Sequence, residues 1–492
     1  MTRLLLTLTT FLLLALTFSC TTETAQRPPN IIVILADDLG YGELGSYGQT
    51  IIKTPHLDRM AAEGMRFTRA YSGSTVCAPS RCALLTGKHM GHAYVRDNFE
   101  MGGYTDETEG GQLPLDTAET TLAELLKRKG YATACIGKWG LGMADSTGNP
   151  ALHGFDLFYG YLCQKQAHNY YPTHLWENGK WDTLNNIFFM AHQRLPEGVD
   201  TTAPATYTPY KGSDYAAERM RDKMLDFVRE KKDEPFFLYY ATPIPHLSLQ
   251  VPGEELAPYA GLDEKPYPGG RGYLPQLNPR AAYAAMISRL DTDAGMLIDL
   301  LRELGLDENT LVIFTSDNGA TIPGIGGVDS KFFNSYGGLR GWKTNLYEGG
   351  IRVPLIARWP GKIAPGKVSD RQTPVWDILP TVCEATGITP PAGIDGLSYL
   401  PLLTGSEGQQ NHENLYWEFH SGGTSQTLIW GRWKALRKGL KKNPEAPIEL
   451  YDLENDPAES IDVAAEHPDV VARMQRMMQE SRTPSPIEGW NW

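Results

Sequence analysis

Two apolar runs in this chain of 492 residues end in short polar pairs. NIIVILADDLG over 30–40 brings Asp37 and Asp38 to the end of a predicted strand, and TLVIFTSDNGA over 310–320 does the same for Asp317 and Asn318. Three carboxylates and an amide at strand ends make a hard, oxygen-rich cavity that suits Ca²⁺ or Mg²⁺. Zinc fits less well, because no His/Cys cluster accompanies them. Either pair alone is also an ordinary loop cap; both pairs in one domain favour a ligand site. Four cations recur in similar settings: Arg81 in CAPSRCALLTG (77–87), Lys138 in GYATACIGKWG, His246 in ATPIPHLSL and Lys343 in LRGWKTNLYEGGIRVP. Each follows an apolar strand or a glycine-rich turn instead of lying on the outer face of a helix. That placement suits an anion pocket built from loops on a rigid scaffold. Cys77 opens the first of these stretches at a predicted helix start.

The elements that must hold these groups alternate in type. TPHLDRMAAEG has helical spacing and MRFTRAYS reads as a strand, while TLAELLKRKG followed by YATACIGKW reads as helix, glycine stop and strand. DYAAERMRDKMLDFVREKK leads into the strand FFLYYAT, and AAYAAMISRLDTDAGMLIDLLRELG leads into TLVIFTSDNGA. The expected fold is therefore α/β, with a large, mostly parallel or mixed sheet sandwiched by helices and ligands at its strand ends. Residues 145–215 are rich in Tyr, Trp, His, Asn and Gly without a clear period, as in a functional loop. After DGLSYLPLLTG (395–405) come the short runs NLYWEFH, QTLIWGRWKALRK and IELYDL and the helix DVVARMQRMMQESR. They predict a smaller α+β domain over 406–492 with a short antiparallel sheet, behind a catalytic domain over 29–405.

The first nineteen residues carry Arg3 and then a long apolar run, the pattern of a signal peptide. Thr17-Phe18-Ser19-Cys20 is similar to a bacterial lipoprotein processing site. The chain is therefore expected to be exported to the periplasm or cell surface, anchored by lipid on Cys20 with residues 20–28 as a tether. The net charge of −13 and the lack of any basic run longer than RKGLKK exclude a general nucleic-acid binder. Six scattered cysteines without a CxxC pair do not form a disulfide scaffold, and Cys82, Cys135 and Cys383 sit in apolar patterns that bury them.

CAPSRCALLTG resembles the activating motif of the type I sulfatases, and GYATACIGKWG resembles their second motif. ADD, SDNG and LRGWK…EGGIRVP are similar in type and order, so that the resemblance runs from about residue 29 to about residue 475 and implies an alkaline-phosphatase-like fold. It implies that a maturase oxidises Cys77 to formylglycine, whose hydrated aldehyde supplies the nucleophilic oxygen and a second hydroxyl to expel sulfate. It also implies that Asp37, Asp38, Asp317 and Asn318, with residue 77, hold a divalent cation, calcium before magnesium. Arg81 would steady residue 77, and Lys138, Lys343 and His246 would clamp the sulfate, Lys343 or His246 protonating the leaving alcohol. One position departs: many family members have histidine where this chain has Gly140, and His168 is the candidate to replace that base. Tyr170, Tyr171, Trp176, Trp417 and His420 are candidate platforms for sugar rings. The expected activity is hydrolysis of a sulfated carbohydrate or aryl sulfate. The alternatives are a phosphate or phosphonate ester hydrolase of the same superfamily and a non-catalytic glycan-binding derivative.

Overall fold

In the computed structural model the described residues are 27–492, apart from positions 106, 263 and 271. The expected leader, Cys20 and most of the tether lie outside them. NIIVILA forms strand β1 (Asn30–Ala36), buried along its whole length. Its side chains alternate between two cores: Ile31, Val33 and Leu35 enter one, and Ile32, Ile34 and Ala36 enter the other. A run that is apolar at every position is what a strand covered on both faces requires. The other strands of its sheet, in chain order, are β2 (Met65–Tyr71), β3 (Ala132–Lys138), β4 (Leu157–Tyr161), β5 (His174–Glu177), β6 (Lys180–Thr183), β7 (Phe236–Ala241), β8 (Thr310–Ser316), β9 (Arg352–Arg358), β10 (Lys367–Ser369) and β11 (Thr373–Pro374).

Across the sheet the order is β10-β2-β9-β8-β1-β7-β3-β4-β5-β6, with β11 beside β2. The central strands β8, β1, β7, β3 and β4 run parallel. β9 runs antiparallel to both β8 and β2, and β5 and β6 fold back antiparallel at the far edge. One face carries the helices Cys77–Thr86 and Ile378–Thr386. The other carries Pro55–Glu63, Ala216–Glu230 and the 25-residue Pro279–Glu303. The segment 145–215, expected to be irregular, contributes three strands of four or five residues to the sheet, too short for a period to show.

A second, antiparallel sheet follows: β12 (Leu415–Phe419), β13 (Ser425–Trp430), β14 (Trp433–Lys438) and β15 (Glu449–Asp452). The single run QTLIWGRWKALRK is a hairpin, turned at Gly431 (φ 58°) and Arg432. Alternation again divides its side chains. Leu415, Trp417, Ile429 and Leu436 join the core under the main sheet, whereas Tyr416, Leu428, Ala435 and Leu450 pack on Met474 and Met478 of the helix Pro468–Glu480. Trp417 is wholly buried and donates from Nε1 to Ser72 O at 2.9 Å. Tyr170 and Tyr171 are interior as well, so none of these three aromatics offers a sugar platform. His420 is largely buried too, stacked on Trp490, and Trp176 packs edge-on to Trp181. Cys82, Cys135 and Cys383 are free and in the core, as expected. Among the described residues no helix is long and apolar enough to cross a membrane.

Candidate active site

The parallel strands deliver their polar ends to one edge. β1 hands over to Asp37 and Asp38, β8 to Asp317 and Asn318, β3 ends in Lys138, and β7 runs on to His246. β8, β1, β7 and β3 are consecutive neighbours, so residues remote in sequence stand side by side at the carboxyl edge of the sheet. The chain after β2 enters the helix Cys77–Thr86, which places Cys77 over that edge and buries Arg81 one turn further on. Lys343 arrives on the loop before β9.

Cys77 Sγ lies 3.5 Å from Asp37 Oδ1 and 3.3 Å from Lys343 Nζ. Lys138 Nζ donates to Asp37 Oδ2 at 2.6 Å, and Lys343 Nζ donates to Asp38 Oδ1 at 2.6 Å. Arg81 donates from Nε and Nη2 to Asp317 Oδ2, at 3.2 and 2.8 Å, from Nη1 to Lys138 O, and lies 3.4 Å from Asp37. His246 Nε2 is 3.7 Å from Asp38 Oδ2. Asp38 has φ 66°, a left-handed conformation uncommon outside glycine, and its N–H donates to Asp317 Oδ1 at 3.0 Å.

Charge and burial oppose each other here. Burial would raise Asp37, but Lys138, His246, Arg81 and Lys343 outweigh it and hold the carboxyl far below its usual range. Asp38 is likewise lowered against burial, chiefly by Lys343 and His246. Burial and the charge of Asp37 raise Asp317 to about 7, although Arg81 opposes them. Burial pushes the Cys77 thiol up to about 12, Lys138 and Lys343 notwithstanding. Burial also takes His246 down to about 4, with Lys138 adding to the effect.

The residues present fit a hard divalent cation. One ligand atom each from Asp37, Asp38, Cys77 and His246 lies within 4.8 Å of the others. Asn318 donates from Nδ2 to Asp38 Oδ1 at 2.8 Å, while its Oδ1 is buried without a partner. A buried oxygen with nothing to accept is costly, and a cation would satisfy it and relieve the crowding of three carboxylates. A second cluster, His89, His92 and Asp395, does not fit a metal. Gly91 N–H donates to His89 Nδ1 at 3.1 Å, so Nε2 of that imidazole carries the proton and has no lone pair to offer.

His168 also reaches the site. Its ring stacks on His246 with centroids 5.0 Å apart and planes at 13°. The surrounding residues include three that sequence reasoning did not single out: His192, Tyr273 and Thr321, the last donating to Asp38 Oδ2 at 3.0 Å. His192 and Tyr273 come from loops that only the fold brings over the strand ends, His192 within the segment 145–215, whereas Thr321 stands two residues beyond the SDNG at the end of β8. At Gly140 φ is +73°, and a Cβ there would stand 2.4 Å from Gln164 Nε2.

Carboxylates for a cation, a clamp of buried positive groups and a residue held above both define an α/β hydrolase of charged esters. The chain belongs to the sulfatase family: the family model described as Sulfatase matches residues 29–388, and the C-terminal model of N-sulphoglucosamine sulphohydrolase matches residues 338–484. It is a sulfuric ester hydrolase. It is 30% identical over 518 residues to the N-acetylgalactosamine-6-O-sulfatase of Bacteroides thetaiotaomicron, covering 93% of this chain and 94% of that protein. It is 32% identical over 470 residues to the steryl-sulfatase of Mus musculus, covering 85% of this chain and 72% of that one. The crystal structure of Ps i-CgsB in complex with k-i-k-neocarrahexaose superposes with a TM-score of 0.73 at 27% identity, covering 92% of each chain. The Agrobacterium radiobacter phosphonate monoester hydrolase, at 21% identity and a TM-score of 0.63, shares the fold.

Proposed function

We propose that this chain is an exported, formylglycine-dependent sulfatase that removes sulfate from a sulfated carbohydrate, with residues 29–405 as its catalytic unit and 406–492 as the smaller one. The carrying observation is the position of Cys77, buried at a helix start within 3.5 Å of both a carboxylate and an ammonium. The carbohydrate reading is supported by the relatives, among them a bacterial N-acetylgalactosamine-6-O-sulfatase over nearly its full length. Lipidation at Cys20 and maturation of Cys77 are parts of the same reading.

Asp37, Asp38, Asp317 and Asn318, with residue 77, would hold Ca²⁺, or Mg²⁺ in its place. When bound, the cation supplies Lewis-acid polarisation of the sulfate oxygens, and the modified Cys77 supplies an oxygen nucleophile. Arg81 holds Asp317 in place through its forked donors and lies 3.4 Å from Asp37. Lys138 spends one N–H on Asp37, and Lys343 spends one on Asp38 and one on Cys77; each keeps at least one for a sulfate oxygen, where developing negative charge strengthens the bond. His246 presents Nε2 beside them for proton transfer.

The test is a mass spectrum of the tryptic peptide around residue 77, from protein made with a maturation system. The peptide should be about 18 Da lighter than its thiol form, the difference between CH₂SH and CHO. Full sulfatase activity with an unmodified Cys77 would refute the reading.

A further inference from the structure

Gly140 leaves the site without one imidazole of the family pattern, and the fold brings His168 and His192 to it instead. Backbone groups dictate the tautomers of the histidines gathered there. Leu247 O lies 2.6 Å from His246 Nδ1, and a carbonyl can only accept, so His246 carries its proton on Nδ1 and leaves the Nε2 lone pair free. Tyr273 N–H donates to His192 Nδ1 at 3.0 Å. The proton of His192 must then sit on Nε2, which faces His168 Nδ1 at 2.9 Å and donates to it. His168 in turn holds its own proton on Nε2. Two stacked imidazoles therefore have opposite polarity: His246 offers an acceptor and His168 a donor.

Resting on the sulfatase reading above, we propose that His168 is a neutral N–H donor to the bound sulfate ester, and that His192 is the positioning residue that holds it in that form. Burial, then His246 and Lys138, pull His168 well below the usual histidine range and keep it neutral. His246, on which His168 stacks, lies 3.7 Å from Asp38, and Asp38 accepts from Lys343 at 2.6 Å, which sets the stacked pair beside the groups assigned to the sulfate. Tyr273 packs edge-on to His168 at 5.1 Å and 62° and to His246 at 5.9 Å and 72°, so that one ring restrains both imidazoles. The role of base, expected of His168 from the sequence, is moved by this geometry: the nitrogen able to take a proton is His246 Nε2.

In protein carrying ¹⁵N-labelled histidine, the two ring-nitrogen shifts of each imidazole report which nitrogen bears hydrogen. Signals assigned by their loss in His168→Gln and His246→Gln should show His168 protonated on Nε2 and His246 on Nδ1. In His192→Ala the His168 signals should move toward a tautomer mixture, which a merely structural residue would not cause. On a sulfated saccharide, His168→Ala should lower kcat/KM by about 10- to 100-fold, the range for a hydrogen bond to a charged group. His168→Gln, which retains an amide N–H, should lose less than about tenfold. A wild-type His168 protonated on Nδ1, or a Gln variant as impaired as the Ala variant, overturns the proposal. Failure of the sulfatase reading looks different: the tautomers stay readable while wild-type protein with modified Cys77 releases no sulfate.

Discussion

Asp38 occupies a left-handed backbone conformation that costs an ordinary residue about 1–3 kcal/mol and is held there by its neighbours. Its N–H reaches Asp317, and its carboxylate meets Lys343, Asn318 and Thr321. One oxygen of its carboxylate lies within 4.8 Å of an Asp37 oxygen, close enough for one cation to bind both. Adding Ca²⁺ should raise the thermal midpoint of the wild-type protein, since a ligand that binds only the folded state stabilises it. Asn318→Ala removes the unpartnered oxygen and should weaken that calcium response by roughly 10- to 100-fold in affinity. A calcium titration followed by thermal shift checks this without any turnover. Cys77→Ala should lower kcat by a factor on the order of 10⁴ while leaving a weakened calcium-induced shift, because the nucleophile is lost but Asp37, Asp38, Asp317 and Asn318 remain to hold the cation.

The elements explain why these groups meet. Four adjacent parallel strands end at one edge, and each contributes a polar group within a few residues of its last ladder position. After β3 the chain turns at Gly140, with φ +73° and Gln164 filling the space a side chain would need. Placing a histidine at this position is therefore not a repair here. Gly140→His should destabilise by about 1–3 kcal/mol through backbone strain and collision with Gln164, and should not increase kcat. Thermal unfolding and initial rates of Gly140→His, alone and with Gln164→Ala, check this. The double variant should recover part of the stability if the collision is the cause.

The two sheets of the molecule are joined by buried charge as well as by apolar packing. Glu418 on β12 accepts from Arg96 Nη1 and from Arg482 Nε, both at 3.0 Å, and Tyr416 donates to it at 2.9 Å. Lys434 on β14 is buried with Glu348, which lies just before β9, at 3.0 Å. Burial would raise Glu418, but His420, Arg96 and Arg482 outweigh it and lower it from 4.5 to about 2. A carboxyl lowered in the folded state stabilises above its unfolded value, and that stability is lost as pH falls from about 4.5 toward 2. The shift corresponds to about 3 kcal/mol. Glu418→Gln should therefore lower the unfolding midpoint clearly at pH 7, leaving two arginines without their shared partner. The gap between variant and wild type should narrow below about pH 4, as thermal scans at several pH values would show.

The amino-acid sequence by itself determined the class of fold and most of the chemistry. Apolar runs such as NIIVILA and TLVIFTS specify buried strands locally, and the polar residues that follow them must emerge at strand ends. Asp37, Asp38, Cys77, Arg81, Lys138, His246, Asp317, Asn318 and Lys343 were legible because each lies in a short motif beside such an element. Tertiary structure decided the rest. His192 and Tyr273 lie in loops with no period and come over the site only when β7 and β3 stand beside β1. The tautomers of His168, His192 and His246 depend on which backbone N–H or carbonyl each ring meets, and those partners are brought by folding. Burial of Trp417, Tyr170 and Tyr171 was illegible for the same reason, since an aromatic ring in a short strand or an irregular loop suits a core as well as a surface. Local physics names the groups that can react; only the packed chain determines which way each one donates.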